Sequence, residues 1–442
     1  MIDVKLLREK PELFYSSCEA RGFGKDLLDK FFILDRKWRE LLKQVNDLKH
    51  EKNELSMRIS RMVKEGKDVA PVKEDVVKTS ALIESNEAEL KIVEAERDQI
   101  LKQIPNLIDE SVPICKGDEN NPFMKFNGMA SVYGEDVEAF LKATNGVGKY
   151  NVIDYRPMSH VDLQEKLGLV DLETAGRVAG SRFYYLKGRL FKLELALINY
   201  GVDFLSDRGF NVVEPPLMMN YESMSKATDM ETFRESLYKI EGEDLYLIST
   251  SEHPIAAMIS NEILAPEDLP LRIAGFSPCF RKEAGAHGKD TKGIFRVHNF
   301  NKVEQFIFCE PEKSRDFHEE LLRNSEQLIQ SLGLSYRVIN FCSGELSVLN
   351  SKKYDIEAWF PSQGRFREVV SASNNTDYQA RSLNIRYRTS DGHKFVHTLN
   401  STALATTRIL VAIMENFQNR EGTEIKVPEP LVPYAGFDTI SS

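Results

Sequence analysis

The 442-residue sequence lacks both glycine-rich signatures of common nucleotide sites, G-x-x-x-x-G-K-[ST] and G-x-G-x-x-G. Their absence excludes a P-loop and disfavours a Rossmann-type parallel sheet. The sequence also has no apolar run long enough to cross a bilayer, and its opening residues lack the apolar segment of a signal peptide. We therefore expect a cytoplasmic protein that does not associate with membranes.

Cysteine is scarce, and its residues are scattered without C-x-x-C spacing. The five cysteines are Cys18, Cys115, Cys279, Cys309 and Cys342. We expect reduced thiols in or near the core, with neither a zinc site nor a disulfide framework. The formal net charge of −10 argues against a protein that coats nucleic acid over its whole surface. Any contact with nucleic acid must therefore be local.

Apolar residues in the N-terminal quarter recur alternately every four and three positions, which is the pattern of a coiled-coil seam. One seam runs from Leu27 to Met62, with Lys52 at one core position, and a second runs from Ile83 to Ile104. The loop at residues 65–71 between them predicts an antiparallel helical hairpin. About forty residues in the first helix give a hairpin roughly 60 Å long at about 1.5 Å per residue.

Charge is divided unevenly between the two helices of this hairpin. Residues 36–64 contain nine basic and four acidic side chains, whereas residues 79–101 contain six acidic and two basic ones. The opposite charges could pair across the coiled coil, or the basic helix could follow a phosphate backbone, and charge alone does not decide. The candidate phosphate contacts are Arg36, Arg39, Lys43, Lys49, Lys52, Arg58, Arg61 and Lys64.

The rest of the chain predicts an α+β fold with a mainly antiparallel sheet flanked by helices, because its strand patterns cluster without regular intervening helices. We expect two hairpin strands at 237–240 and 245–248, and a last strand, Lys394–Leu399, that leads into a helix, Ala403–Phe417. The predicted domains are an N-terminal domain at 1–110 and a second domain at 111–442, of which 111–150 is a loop-rich linker region.

A glycine-punctuated hairpin offers the groups of a nucleotide site. Arg281 and Arg296 can hold phosphate oxygens in bidentate forks, and Phe300 presents a flat face to a purine. Glu283 and Glu304 supply acceptors for amines. The stretch suggests ATP bound beside an amine-bearing substrate. An ordinary hairpin with surface ion pairs is the alternative interpretation of the same residues.

Three further stretches carry polar groups suited to a ligand. Thr250 and Glu252 follow a strand end, where they could equally cap a helix. Glu368 and Ser371 lie three residues apart in an oxygen-rich run that suits Mg²⁺ or is simply a polar strand edge. Arg408 falls near a predicted helix start, which favours an anion, but a capped amphipathic helix with a surface arginine explains it as well.

Several longer strings together resemble the seryl-tRNA synthetase family of class II aminoacyl-tRNA synthetases. They are CFRKEAGAHGKDTKGIFRVHNFNKVEQF, the TSE triplet, EVVSASNNTDYQAR and GSRFYYLKG, and the two-helix N-terminal arm accompanies them. The resemblance covers nearly the whole chain. The string LNSTALATTR lacks the glycines of the common bacterial motif 3, LNGSGLAVGR, and is similar to archaeal and eukaryotic cytoplasmic members.

The resemblance implies activation of L-serine with ATP to seryl-adenylate and pyrophosphate, followed by transfer of serine to the 3′ end of tRNA(Ser). It leaves open whether tRNA(Sec) is charged as well. ATP is implied as a substrate and Mg²⁺ as a cofactor, without zinc. The resemblance also implies a homodimer, because Pro216 follows a predicted helix in the manner of motif 1 of class II synthetases. The hairpin arm is expected to reach the long variable arm of tRNA(Ser). The loop Gly285–Gly293 is expected to contact the acceptor end of the same tRNA.

The resemblance also assigns residues. The implied ATP contacts are Arg281, Glu283, Arg296, Val297, Phe300, Glu368, Val369, Val370, Ser371 and Arg408, with Phe300 and Arg408 on either side of the adenine. The implied serine contacts are Thr250, Glu252, Arg281, Glu304, Asn400 and Thr402. Glu368 and Ser371 would hold Mg²⁺, and Arg281, Glu368 and Arg408 would serve catalysis.

Two alternatives to this function remain. A ligase that makes seryl-adenylate but loads another carrier would share the same site, although the long arm argues against it. A non-catalytic scaffold would use the coiled coil for association, but the charged positions expected of the family are all filled.

Overall fold

A computed structural model of the chain describes residues 1–284 and 290–441, apart from the side chains of Asp118, Glu231 and Thr232. The chain divides into two compact units, Met1–Pro105 and Asn106–Ser442. The expectation for the glycine loop, Gly285–Gly293, falls partly on residues 285–289, which lie outside the described residues.

The first unit is helical, and its two long helices form the predicted antiparallel hairpin. Lys49 Nζ lies 2.7 Å from Glu87 Oε1, and the guanidinium carbon of Arg97 lies 4.1 Å from the centre of the Trp38 ring. The later residue of the first long helix therefore contacts the earlier residue of the second, as expected of antiparallel helices. The helices are α1 (Val4–Glu9), α2 (Pro11–Ala20), α3 (Asp26–Lys64) and α4 (Ala70–Gln103).

The predicted seam of this hairpin is confirmed. Phe31, Leu41 and Val45 are buried on α3, and the seam positions from Leu48 onward are half-buried. One boundary differs, because Pro71 was expected in the loop but lies in the first turn of α4. Proline is well tolerated there, since the missing N–H would have no partner within the helix.

The second unit combines strands and helices. Its strands are β1 (Phe123–Asn127), β2 (Ala130–Tyr133), β3 (Tyr150–Ile153), β4 (Val170–Asp171), β5 (Tyr185–Leu186), β6 (Asn211–Val213), β7 (Met218–Met219), β8 (Tyr246–Leu247), β9 (Ile263–Leu264), β10 (Leu271–Phe280), β11 (Asn299–Cys309), β12 (Tyr336–Asn340), β13 (Lys352–Phe360), β14 (Arg365–Asn374), β15 (Arg386–Thr389), β16 (Gly392–Phe395), β17 (His397–Ala405), β18 (Glu424–Lys426) and β19 (Thr439–Ser441). Its helices are α5 (Val137–Ala143), α6 (His160–Lys166), α7 (Leu172–Ala179), α8 (Gly188–Ser206), α9 (Tyr221–Ala227), α10 (Met230–Phe233), α11 (Glu252–Ala257), α12 (Ser314–Ser331), α13 (Tyr378–Leu383), α14 (Thr406–Asn416) and α15 (Val432–Ala435).

The main sheet of the described residues has eight strands in the order β1-β12-β13-β14-β17-β11-β10-β6. Each neighbouring pair in it is antiparallel except β10 and β6, which confirms the predicted architecture. Buried residues of α8, α12 and α14 pack with the sheet in the largest hydrophobic core. A second core gathers residues of α9, α11 and α13.

Some local expectations differ from the structure. The stretch interpreted as loop-rich contains β1, β2, β3 and α5, and β1 gains its strand conformation by pairing with β12, over 200 residues away. The expected hairpin at 237–248 is present but short, with an antiparallel bridge between Lys239 and Tyr246 and a 2.9 Å hydrogen bond from Leu247 N to Tyr238 O, and β8 also pairs with β7. Residues Ala403–Ala405 extend β17, so that α14 begins at Thr406.

The expectation of five reduced cysteines is wrong, because Cys115 and Cys342 form a disulfide bond. It joins the segment before β1 to the loop after β12, and the separation of 227 positions hid this proximity in the sequence. Cys18, Cys279 and Cys309 are free and buried. Over the described ranges 1–284 and 290–441, no helix combines the length and apolar character needed to cross a membrane.

Candidate active site

A cavity of about 410 Å³ opens on the sheet where β10, β11, β14 and β17 meet α11. The antiparallel neighbours β11 and β17 carry residues of the predicted serine and ATP sites, so pairing of these strands brings separate motifs together. Predicted site residues that line the cavity are Thr250, Glu252, Arg281, Glu283, Phe300, Glu304, Glu368, Val369, Ser371, Asn400, Thr402 and Arg408.

Arg281 and Phe300 form a charged and aromatic pair at one side of the cavity. The guanidinium carbon of Arg281 lies 5.2 Å from the centre of the Phe300 ring, and Arg281 Nε donates to the carbonyl of Ser249 at 3.3 Å. The backbone hydrogen bond from Arg281 N to His298 O, at 2.9 Å, continues the β10–β11 pairing and fixes the base of the side chain. The pair can therefore present a cation and a flat face to one ligand.

Glu283 and Arg296 bind each other in the structure. Arg296 Nη1 donates to Glu283 Oε2 at 3.0 Å, and Arg296 Nε lies 3.7 Å from Asp290 Oδ2. Arg367 in turn holds Asp290 through two hydrogen bonds of 3.0 and 2.6 Å. Arg296 lines a smaller cavity of about 200 Å³, which shares Glu368 and Arg408 with the main one. The candidate site therefore extends past Arg408 into this second chamber.

A bulge in β14 brings Glu368 and Ser371 to the same face. Val370 pairs with Ile356 but Glu368 pairs with Glu357, so Val369 is an extra residue on its strand. Residues three apart in a regular strand point to opposite faces, and the extra residue shifts this alternation by one. The carboxylate and the hydroxyl can therefore meet one ligand.

Arg408 closes this side of the cavity from the first turn of α14. Its Nη1 lies 3.0 Å from Glu368 Oε1 and donates to the Glu368 carbonyl at 3.1 Å. Burial opposes ionisation of Glu368, but Arg408, Lys353 and Arg281 outweigh it and hold the pKa of its carboxyl below the ordinary value. The guanidinium carbon of Arg408 lies 5.3 Å from the centre of the Phe295 ring.

Two predicted ATP contacts lie in the core and do not line the cavity. The side chains of Val297 and Val370 are buried in the main hydrophobic cluster, so each can reach a ligand only through its backbone. Asp377 and Arg381, which follow this oxygen-rich run in the sequence, form an ion pair of 2.7 Å with each other. Neither is among the described residues that line the cavity.

The opposite side of the cavity is built from Glu304, Thr402 and Asn400. Val303 pairs with Leu404 but Glu304 pairs with Thr402, so a bulge at Ala403 turns Thr402 toward Glu304. Thr402 Oγ1 donates to Glu304 Oε2 at 3.4 Å. Asn400 is buried, and its Nδ2 has no hydrogen-bond partner among the described residues. A buried donor without a partner is costly, which favours a ligand acceptor there.

Glu252 adds a second, half-buried carboxylate to this pocket. Its Oε1 accepts a hydrogen bond of 2.9 Å from Gln379 Nε2. Burial and the nearby charge of Glu304 raise the pKa of Glu252 to about 7, against the opposing effect of Lys302. The pocket therefore changes charge near neutral pH. Such a group suits a cationic ligand above that pH.

Sequence reasoning missed three charged or titratable residues that line the cavity, Lys302, Lys353 and His253. Lys302 could have been found, because it lies two residues before Glu304 on β11 and so shares its face. His253 is buried, and burial together with Lys302 and Arg281 lowers its pKa to about 3. No sequence signal marks His253 or Lys353, since each depends on packing between distant elements.

The basic helix α3 divides into paired and unpaired charges. Lys49 pairs with Glu87 across the hairpin, and Arg39 pairs with the buried Asp35. Within the described part of the chain, no ion pair is found for the other predicted phosphate contacts, which are Arg36, Lys43, Lys52, Arg58, Arg61 and Lys64. Pairing across the coiled coil therefore accounts for only part of the basic charge.

Two protein-family domains match most of the chain between them. Residues 1–108 match the seryl-tRNA synthetase N-terminal domain, and residues 235–417 match the tRNA synthetase class II core domain (G, H, P, S and T). A serine–tRNA ligase from Picrophilus torridus is 61% identical over 440 residues, which are 100% of this chain and 99% of the relative.

Solved structures agree with these matches. A crystal structure of seryl-tRNA synthetase from Pyrococcus horikoshii complexed with ATP is 46% identical, with a TM-score of 0.95 and coverage of 100% of this chain and 99% of that one. A cytoplasmic serine–tRNA ligase from Naegleria fowleri in complex with AMP is 38% identical, with a TM-score of 0.84 and the same coverage.

Proposed function

Because the chain belongs to the seryl-tRNA synthetase family, class II ligases that activate serine with ATP and charge tRNA, we propose that its main cavity is where serine is activated. One observation carries the proposal. The same cavity has an arginine and aromatic pair at one side and, at the other, two carboxylates and an amide donor that has no partner among the described residues. The cavity therefore offers adjacent binding sites for a nucleotide and for a small amino acid.

ATP occupies the side with Arg281 and Phe300 in this proposal. The adenine lies against Phe300, with Arg408 on its other face, and the Val297 backbone and the Glu283 carboxylate read its edge. Glu283 must then exchange its hydrogen bond from Arg296 for one from the adenine amine. That exchange releases Arg296 toward the phosphates, where a guanidinium binds strongly. The two solved relatives are complexed with ATP and AMP, which supports binding of an adenine nucleotide by this chain.

Mg²⁺ fits the residues at Glu368. The β14 bulge turns Glu368, whose pKa is lowered, toward the same cavity as the Ser371 hydroxyl, and a carboxylate with a hydroxyl is a donor set that Mg²⁺ accepts. When bound, the ion would neutralise charge on the phosphate oxygens. Glu368 would leave its ion pair with Arg408 to hold it, which frees Arg408 for the nucleotide.

Serine occupies the side with Glu304. Its ammonium lies near Glu304 and Glu252, and Thr402 and Asn400 serve its hydroxyl. Asn400 supports this assignment because its Nδ2 is a buried donor in need of an acceptor. A site built to hydrogen-bond a hydroxyl rejects alanine, since loss of that group leaves buried polar partners unpaired.

Activation needs no side-chain nucleophile. The serine carboxylate attacks the α-phosphorus, the bond to the leaving pyrophosphate breaks, and Arg281 offsets the negative charge that develops. In the second step the terminal ribose hydroxyl of tRNA attacks the acyl carbon of seryl-adenylate and AMP leaves. Alignment and charge compensation therefore carry the reaction.

The remaining assignments concern the whole chain. We propose that residues 1–110 form a tRNA-binding domain, with the unpaired cations of α3 on the phosphates of tRNA(Ser), and that residues 111–442 form the catalytic domain. Phe191 and Leu195 on α8 are 47% and 45% exposed, which supports a homodimer formed through that helix. The enzyme would act in the cytoplasm, and charging of tRNA(Sec) is a further possibility to be measured.

Purified protein with ATP, serine and labelled pyrophosphate tests the function. We expect serine-dependent exchange, followed by charging of tRNA(Ser) when total tRNA is added. Exchange without charging would identify a ligase for another carrier, and no exchange would indicate a scaffold. A parallel reaction with transcribed tRNA(Sec) determines whether that acceptor is used.

A further inference from the structure

Lys302 places an ammonium group inside the pocket assigned to serine. The residue is only 5% exposed, and it lies on β11 between strands of the main sheet. Its Nζ donates to Thr250 Oγ1 at 2.6 Å and forms an ion pair with Glu304. Burying an ammonium is costly unless it is paired and hydrogen-bonded, and the contacts with Thr250 and Glu304 meet this condition.

The contacts of Lys302 fix the hydrogen-bonding direction of Thr250. Thr250 Oγ1 accepts from Lys302 Nζ and also from the backbone N–H of Glu252, at 3.1 Å. A hydroxyl has two lone pairs and one hydrogen, and these two donors use both lone pairs. Only the hydrogen of Thr250 is left for a ligand. Thr250 is therefore committed to donate, and it can meet an oxygen of serine but not its ammonium.

Lys302 also sets the charge of the pocket. Glu304 is buried and Glu252 is half-buried, and together with Lys302 the two carboxylates carry one net negative charge when both are ionised. One ammonium from serine would balance that charge. Without Lys302 the repulsion between the two carboxylates would not be offset, and the pKa of Glu252 would rise further.

We propose that Lys302 is a positioning residue that orients serine by holding Thr250 as a donor to a serine oxygen and Glu304 as an acceptor for the ammonium. The proposal rests on the assignment of this pocket to serine. It predicts an effect confined to the amino acid, because Thr250 and Glu304, which Lys302 contacts, are on the serine side of the cavity.

The variants Lys302→Met and Lys302→Arg test the role in pyrophosphate exchange. We expect Lys302→Met to raise the KM for serine at least about tenfold while the KM for ATP changes less than about twofold, and Lys302→Arg to recover part of the loss. The Lys125→Met variant is the matched control, because it removes a lysine–glutamate pair of 2.9 Å outside the cavity. It should leave both KM values unchanged.

The pH dependence of the KM for serine separates positioning from a structural role. Glu252 is faced by Glu304, Lys302, Arg281 and Gln379, and Lys302 is among the groups that favour its ionisation. Removing Lys302 should therefore move the inflection of the KM profile to higher pH. A purely structural lysine would alter thermal stability, or both KM values together, without moving that inflection.

Thr250→Val provides a second test if Lys302→Met does not fold, because it removes the donor without disturbing a buried charge. We expect the same selective rise in the KM for serine. A KM for serine within about twofold of wild type in both variants, or an equal rise for serine and ATP, would overturn the proposal. Inactive wild-type protein would instead contradict the assigned function.

Discussion

Thr402 donates a hydrogen bond to the carboxylate of Glu304 across two neighbouring strands, at 3.4 Å. The pair depends on the β17 bulge, which inserts Ala403 and sets Thr402 opposite Glu304. Both residues are buried, so the contact is shielded from water. A small change at Thr402 should therefore be felt by the ligand that Glu304 binds.

Thr402→Ala should raise the KM for serine about tenfold and leave the KM for ATP unchanged. A lost hydrogen bond to a charged group costs about 1.5–3 kcal/mol, and the nucleotide does not contact Thr402 in our assignment. Steady-state pyrophosphate exchange measures both constants. Thr402→Ser keeps the hydroxyl and serves as the control, and identical KM values for wild type and Thr402→Ala would remove Thr402 from the serine site.

Serine binding should strengthen as pH rises through about 7. The raised pKa of Glu252 means that its carboxyl is protonated below that pH and ionised above it, and only the ionised form attracts the serine ammonium. The KM for serine should fall between pH 6 and 8 and then level off. Glu252→Gln should abolish the inflection, and a variant that retains it would show that another group titrates.

Phe300→Ala should weaken ATP binding without affecting serine. Stacking of a base on an aromatic ring contributes about 1–3 kcal/mol, which corresponds to a rise of roughly fivefold or more in the KM for ATP. Phe300→Tyr keeps the flat face and should behave as wild type. An equal KM for ATP in wild type and Phe300→Ala would place the adenine elsewhere.

Neutralising the unpaired cations of α3 should abolish tRNA charging but preserve pyrophosphate exchange. The changes are Arg36→Gln, Lys43→Gln, Lys52→Gln, Arg58→Gln, Arg61→Gln and Lys64→Gln. Affinity for tRNA should also lose part of its salt dependence, since each phosphate contact releases counterions.

The matched control for α3 neutralises Lys73, Lys78 and Lys91 on the partner helix α4, and it should charge tRNA normally. Circular dichroism checks that both variants keep the hairpin. If exchange and charging fall together in the α3 variant, the hairpin has a structural role instead.

Thiol titration of the unfolded chain, purified without reductant, should find three free cysteines. The disulfide between Cys115 and Cys342 removes two of the five thiols. Its reduction should lower the free energy of unfolding by about 2–4 kcal/mol, because the bond constrains a long loop in the unfolded chain. Five reactive thiols would contradict the bond, and Cys115→Ser measures its effect on stability.

Much of the fold could be predicted from local patterns. The seam of α3 and α4 follows from side-chain spacing, and the antiparallel sheet follows from clustered strand signals. The bulges at Val369 and Ala403 could not be predicted, because each is defined by the register of a neighbouring strand. The same holds for the disulfide, whose cysteines are distant in sequence.

In the candidate site, too, some contacts could be predicted from the sequence and others could not. Arg281 and Phe300 were expected together because they lie on consecutive strands, and the β10–β11 pairing brings them together. The ion pair between Glu283 and Arg296 was not anticipated, since the sequence does not reveal which partner a charged group takes before its ligand binds.

A crystal structure of the chain with a non-hydrolysable seryl-adenylate analogue tests the central claim most directly. The account predicts the adenine against Phe300, the phosphate mimic at Arg281, and the serine ammonium at Glu304 with an oxygen of serine accepting from Thr250. An analogue bound outside this cavity, or bound with its ammonium at Thr250, would contradict it.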